Sequence, residues 1–158
     1  MDQAFLKSLF EYHPETGYFI RRCSGRRAGT ISSTPTHNIL YRQIMINGRQ
    51  YREHRLAFLY MTGKMPPKVD HRNRNGLDNS WKNLRASTHG QNMANRIGWG
   101  KLPKGVYPIT GAANRWQAVI VFNKKRIYLG CFTSIEEAAA AYNNRAKELF
   151  GEFALTSA

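Results

Sequence analysis

The side chains with most to offer a reaction fall in one stretch: Asp70 and His71, then Asn83, then His89 and Asn92. Asp70 brings a carboxylate and Asn92 a neutral oxygen. That donor pair suits Mg²⁺, with Mn²⁺ as the alternative, because Mg²⁺ keeps waters and takes its remaining ligands from substrate phosphate. His71 can remove a proton from water near neutral pH. Asn83 can fix the orientation and tautomer of that imidazole by a hydrogen bond. His89 and Asn92 are three apart on an expected helix and share a face, so His89 is an alternative metal ligand to Asn92. A cation held there would polarise a phosphate and stabilise the leaving oxygen, which is the chemistry of phosphodiester hydrolysis. Singly, each residue has an ordinary use as a turn, cap or solvated side chain. The ordered set is what points to chemistry.

Asp70 and His71 must be delivered by a strand that is leaving its sheet. Neighbours within a strand point to opposite sides, whereas at a strand-to-loop exit both can face one cleft. The residues around them supply such an outline over 66–96. Val69 ends a first strand, and 72–76 with 78–80 make a polar loop. Leu84 anchors a second strand, and Thr88 with Gln91 forms a capping box that opens a helix. Upstream, residues 3–10 have the apolar spacing of a short helix, 13–17 read as a turn and 18–20 as a strand. Residues 24–38, rich in Ser, Thr, Gly and Arg, read as an exposed loop. Asn47-Gly48 between 41–46 and Gln50-Tyr51 marks a hairpin. A helix then runs from Glu53 to Met61, closed by Gly63.

The pattern resets around Ile97-Gly98-Trp99-Gly100, which places a domain boundary between 97 and 98. Residues 115–122 alternate strictly, with Trp116, Ala118, Ile120 and Phe122 on one face. The chain turns at 123–125 into a second strand over 126–132. Ser134 and Glu137 read as a second capping box. A helical stripe through Ile135, Ala138, Tyr142, Ala146 and Leu149 ends before Gly151. The fold class is therefore α+β, with a small antiparallel sheet packed on one helix in the C-terminal part.

Charge sets the class of partner. The chain has 158 residues, 24 Lys plus Arg against 10 Asp plus Glu, and a formal charge of +14. Residues 1–100 hold 16 basic and 6 acidic side chains, and 101–158 hold 8 and 4. Such a field attracts polyanions, and its dispersal among apolar positions favours folded surfaces that track phosphates over a basic tail. Arg21, Arg22, Arg26 and Arg27 fall in or just before the expected loop and either lie along a DNA groove or are simply solvated. No apolar run approaches the ~18 residues of a membrane span. The first residues lack the basic start and apolar stretch of a secretory signal, so a cytoplasmic location is expected. Cys23 and Cys131 have no zinc spacing and read as two buried or half-buried free thiols.

The run VDHRNRNGLDNSWKNLRASTHGQN (69–92) resembles the ββα-metal motif of phage-type HNH homing endonucleases, and HRLAFLYMTG (54–63) resembles the segment before it. The resemblance implies His71 as general base, Asp70 as a metal ligand, Asn83 as the residue that orients the base, and Asn92 as the second ligand. It also implies a phage gene product acting in a bacterial cytoplasm. Residues 102–153, with KGVY, RWQAVIVF, KRIYLGCF and EEAAAAYNNRAKELFGEFA, resemble the ethylene-response-factor (Apetala-type) DNA-binding domain. That second likeness implies three antiparallel strands in a major groove. It puts Lys104, Arg115, Gln117, Arg126 and Tyr128 on the DNA face, while Tyr107, Ile109, Val119 and Val121 depart from that family's charged readers. Arg72, Arg74 and Arg85 are the expected DNA contacts of the first part.

The expectation is a nuclease domain over 1–97, followed by a DNA-binding domain over 98–158. The chain would be a metal-dependent endonuclease of double-stranded DNA, working as a monomer or weak homodimer away from membranes. The competing reading is a non-catalytic DNA-binding regulator built on a nuclease scaffold. A third, an RNA-directed protein, lacks the paired strand-borne aromatics of the common RNA modules.

Overall fold

Asp2 starts the first helix, α1 (Gln3–Leu9), its side chain accepting the Phe5 backbone N–H at 2.8 Å. The structure is a computed structural model that describes residues 1–33, 39–98, 100–111 and 114–155. By packing, the chain forms two compact units, Met1–Ser87 and Thr88–Ala158.

In the first unit α1 runs directly into β1 (Phe10–His13), which pairs antiparallel with β2 (Tyr18–Arg21). The sequence extends the helix through Phe10; the strand takes over there because Phe10 and Tyr12 alternate into the core. Gly17 closes the intervening turn at φ +74°, and any Cβ on it would collide with the Asn79–Ser80 backbone. A glycine is thus what lets this turn rest against the segment that carries Asn79.

Next come β3 (Thr30–Ser33), β4 (Leu40–Ile46) and β5 (Arg49–Arg52), paired in that order. Part of the expected loop over 24–38 is therefore a strand: short and polar, β3 gains its order by laddering onto β4. Residues 34–38 of that loop lie outside the described residues. Asn47 and Gly48 both have positive φ, 49° and 74°, as a two-residue hairpin turn requires. Helix α2 (Glu53–Thr62) stops at Gly63, whose left-handed backbone donates to the Leu59 carbonyl. Leu6, Phe10, Phe19, Ile44 and Leu56 are fully enclosed and form the centre of this unit.

The unit ends in the hairpin of β6 (Lys68–His71) and β7 (Leu84–Ser87), joined by residues 72–83 with a 3₁₀ turn at Trp81–Asn83. The first strand does not stop at Val69. It continues through Asp70, opposite Arg85, and His71, opposite Leu84.

The second unit begins at Thr88, whose side chain and that of Gln91 form the reciprocal capping box of α3 (His89–Ala94). Then follow β8 (Val106–Pro108), β9 (Trp116–Phe122) and β10 (Lys125–Phe132), ordered β10-β9-β8 and antiparallel throughout, and α4 (Ile135–Phe150). Ala118, Ile120, Ala138, Tyr142 and Ala146 are buried between this sheet and α4, the alanines allowing close approach. Ser134 caps α4 by accepting the Glu137 N–H, but the Glu137 carboxylate takes the Thr133 N–H and hydroxyl, so the second capping box is only half made. The division between units falls at 87/88, and α3 groups with the C-terminal part. Trp99, in the stretch where the sequence pattern resets, lies outside the described residues.

The result is a mixed α/β chain with four small antiparallel sheets among the described residues. No described helix is long and apolar enough to cross a membrane. Cys23 and Cys131 are both free, as expected, but exposed rather than buried.

Candidate active site

Asp70 and His71 both lie within the regular ladder of β6, so alternation turns them to opposite sides, contrary to the expectation that a strand-to-loop exit lets both face one cleft. Asp70 points to its cross-strand neighbour, and Arg85 holds Oδ2 from Nε at 2.8 Å and from a terminal nitrogen at 2.7 Å. Both residues are buried. Arg85, expected on the DNA, is therefore engaged as the clamp of the Asp70 carboxylate.

His71 turns the other way, toward α2 and the 78–80 segment. Its Nε2 lies 3.0 Å from Asn79 Oδ1, and Asn79 Nδ2 donates to Glu53 Oε2 at 2.9 Å. Arg42 Nε stands 3.2 Å from the same Glu53 oxygen. The Asn79 backbone carbonyl accepts the Tyr12 hydroxyl at 2.7 Å. Burial, above all, pushes the His71 pKa down, with Asn79, Asp70 and Asp78 working in the opposite direction. The imidazole is accordingly neutral near pH 7, as a proton acceptor must be. Burial raises the Glu53 pKa against the pull of Arg42 and Asn79.

Asn83 is buried beside this chain of bonds but serves the loop. Its Oδ1 accepts the Asn73 N–H at 2.9 Å and its Nδ2 donates to the Asp78 carbonyl at 2.7 Å. The orienting contact expected from Asn83 is made to His71 by Asn79. The two asparagines divide the work, one bracing the 72–78 loop and the other the imidazole. Sequence reading missed Asn79, Glu53 and Arg42. The Asp-Asn pair at 78–79 was in view only as loop residues, and nothing local joins it to Glu53.

A second histidine packs on the first. His54 on α2 meets His71 edge-on, ring centroids 5.0 Å apart, with Tyr41 5.5 Å from His54. His54 is buried with no hydrogen-bond partner at Nδ1. Burial, then competition with a proton on His71 and the charges of Arg52 and Arg55, press its pKa down to about 3 from 6.5. A histidine held neutral in the fold but free to protonate when unfolded stabilises the protein above pH 6.5, and that contribution disappears as pH falls toward 3. Unfolding free energy should therefore drop by roughly 3 kcal/mol between about pH 7 and pH 4 on account of this residue. Urea titrations of wild type and His54→Gln across that range check it: the variant's curve should be flatter by that amount, and parallel curves would refute the assignment.

Arg72 and Arg74 are exposed on the loop, Arg74 with φ +63°. In the second unit, His89 is exposed and Asn92 half-buried on α3. Lys104 differs from its expected place on a DNA face. Its ammonium donates to the carbonyls of Met93, Ala94 and Arg96 at 2.7, 2.7 and 2.8 Å, using all three donors at the end of α3. Burial and Arg96 bring its pKa down to about 8. The register sets Tyr128 opposite Val119, Arg126 opposite Val121 and Tyr107 opposite Gln117. These side chains share the sheet face away from α4, with the Arg126 guanidinium 5.7 Å from the centre of the Tyr107 ring. Arg115, Arg126 and Tyr128 are exposed and Gln117 is half-buried.

Residues 51–94, from β5 through α3, match the HNH endonuclease family. Over 104 residues the chain is 38% identical to a protein of Acanthamoeba polyphaga mimivirus named as an uncharacterized HNH endonuclease. The match covers 64% of this chain and 54% of that protein, so the chain spans about half the length of the relative. The matched stretch contains every residue of the His71–Asn79–Glu53 chain and the Asp70–Arg85 pair.

Proposed function

We propose that the protein is a metal-dependent endonuclease that hydrolyses phosphodiester bonds in double-stranded DNA. The observation that carries this reading is a buried imidazole, its Nε2 on Asn79, next in sequence to a buried carboxylate inside the stretch that matches the HNH family. His71 takes a proton from the attacking water, and Asp70 holds the divalent cation. The resemblance adds Asn92, with His89 as the alternative, as a second ligand. Asn83 keeps the 72–78 loop in shape.

The donor chemistry fits Mg²⁺, which binds through one or two carboxylates and otherwise through water and phosphate. Among the described residues no group of three or more His, Cys, Asp or Glu side chains is placed to hold an ion. In this reading Asp70 is the carboxylate anchor, and Arg85 sets its orientation. When bound, the cation supplies neutralisation of the scissile phosphate and of the leaving oxygen.

We read residues 1–97 as the nuclease domain and 98–158 as a DNA-binding domain of the ethylene-response-factor kind. In the latter the face bearing Arg126, Tyr128, Gln117 and Arg115 meets the duplex. With Val119 and Val121 where charged readers would stand, phosphate contacts and aliphatic contacts with thymine methyls carry the binding there. Arg72 and Arg74 add phosphate contacts from the loop, as do the arginines over 21–27. A phage-type role in a host cytoplasm belongs to the same reading.

The test is nicking of supercoiled plasmid at low salt with Mg²⁺ or Mn²⁺. Cutting should require the metal, stop on chelation and be competed by duplex DNA better than by RNA. If five or six phosphates are neutralised, binding should weaken with salt at a log–log slope of about −5. Tight binding without cutting under any metal would instead favour the regulator, and a slope near zero would exclude nucleic acid altogether.

A further inference from the structure

Arg52 is the last residue of β5 and stands at the N-cap of α2, where it makes no side-chain capping bond. That position favours Ser, Thr, Asp or Asn, and a cation there opposes the positive end of the helix. The guanidinium is also left without a counter-charge. Glu53, next in sequence, is taken up by Arg42 and Asn79, and no ion pair among the described residues includes Arg52. Its Nη1 is enclosed and has no hydrogen-bond partner. A half-buried, uncompensated cation costs stability, so the needs of the fold do not account for an arginine here.

The fold nevertheless holds this side chain in place. Arg52 pairs directly opposite Gln43, two residues along β4 from Tyr41, and reaches diagonally onto the Tyr41 ring, 4.7 Å from its centre. The centre of the same ring lies 6.1 Å from that of His71 and 5.5 Å from that of His54. In the loop between β6 and β7, Gly76 rests here too: a Cβ on it would strike the Leu40 carbonyl and the Tyr41 ring. One tyrosine thus meets the Arg52 guanidinium, the His71 imidazole and the loop that bears Arg72 and Arg74.

We propose that Arg52 binds substrate at the cleavage centre, its guanidinium taking non-bridging oxygens of the phosphodiester that is cut. The catalytic part of this rests on the nuclease reading above. A guanidinium suits the role because its planar fork matches two phosphate oxygens and keeps its charge at every working pH. Stacking on Tyr41 sets the plane of that fork in advance, so little side-chain freedom is lost on binding. The phosphate supplies the counter-charge that the protein withholds. As water attacks phosphorus, negative charge builds on the same oxygens, and the contact strengthens toward the transition state.

The test compares full-length wild type with Arg52→Met and Arg52→Gln, two neutral replacements of differing polarity. Binding of a short duplex DNA, followed by anisotropy in EDTA over a range of salt, reads the phosphate contact without any cutting. The log–log slope should become shallower by about 0.9, the share of one phosphate. With Mg²⁺, the single-turnover nicking rate at saturating protein should fall about 10²–10³-fold. Both variants should unfold at urea concentrations no lower than wild type, since an uncompensated charge has been removed from the start of α2. A fall in both would mean that the cation serves the fold, and would overturn the proposal. An unchanged slope in a folded variant overturns it whatever the cutting rate. So does a shallower slope with a wild-type rate at saturation, because the phosphate held would then lie away from the scissile bond. If Arg52→Met alone fails to fold, Arg52→Gln is judged by the same slope and rate. A slope that falls as expected in a protein that never nicks DNA would sink the nuclease reading and leave the phosphate contact of Arg52 standing.

Discussion

Replacing His71 with alanine should lower the rate of metal-dependent nicking by about 10²- to 10⁴-fold, the usual worth of a general base. The imidazole is suited to that role by its surroundings. Burial disfavours its charged form, so it is available as an acceptor near neutral pH, while Asp70 and Asp78 favour the imidazolium that follows proton transfer. The substitution removes nothing from the loop arginines or from the outer face of the C-terminal sheet. DNA affinity, measured by fluorescence anisotropy without divalent metal, should therefore be unchanged. Stability should fall by about 1–3 kcal/mol, because the buried Asn79 Oδ1 loses its partner. Single-turnover rates on plasmid separate these effects, provided the variant is shown to be folded at the assay temperature. A His71→Ala protein that cuts at the wild-type rate would remove His71 from the mechanism.

The sequence displayed the local parts of this arrangement and hid the long-range ones. Asn47-Gly48, Gly63, Thr88 with Gln91, and the alternation over 116–122 each act through neighbours within a few residues, and each is found as expected. Strand β3 was not visible. Its Thr, Ile and Ser residues have no apolar alternation of their own, and their order comes from a partner ten or so residues on. The chemical residues were legible as types in order, but not their partners. Asn79 finds Glu53 across 26 positions, and Tyr12 finds Asn79 across 67. Only the stacking of α2 and the β1–β2 turn on the 78–80 segment makes them neighbours. The choice between Asn79 and Asn83 as the orienting amide is settled by which of two nearby loop positions faces the ring, and spacing along a chain carries no such direction. Lys104 shows the same limit: a basic residue near the start of a DNA-binding module reads as a phosphate contact until the three carbonyls at the end of α3 are seen around it. Register decides the fate of Arg85 likewise, since a strand pairing shifted by one residue would turn it to the opposite face.

That register makes Asp70 the most consequential position for stability as well as for the proposed cation. Asp70 and Arg85 form a directly opposed pair, with side chains only 6% and 7% exposed. Removing one partner of a buried pair strands the other charge, at a cost of about 3–5 kcal/mol. Asp70→Ala should accordingly lower the unfolding free energy by that amount in urea titrations and abolish nicking together with it. The two losses have different causes, and a second substitution separates them. In Asp70→Leu with Arg85→Met both charges are replaced by apolar groups of similar bulk, and such exchanges are often neutral or stabilising. The double variant should recover most of the lost stability while remaining unable to cut, because no carboxylate is left on β6 to hold a cation. Recovery of cutting with stability would mean that Asp70 serves the fold alone and that the metal is anchored elsewhere. A cost below about 1 kcal/mol for Asp70→Ala, the value of an exposed pair, would mean that the hairpin does not bury this pair in solution.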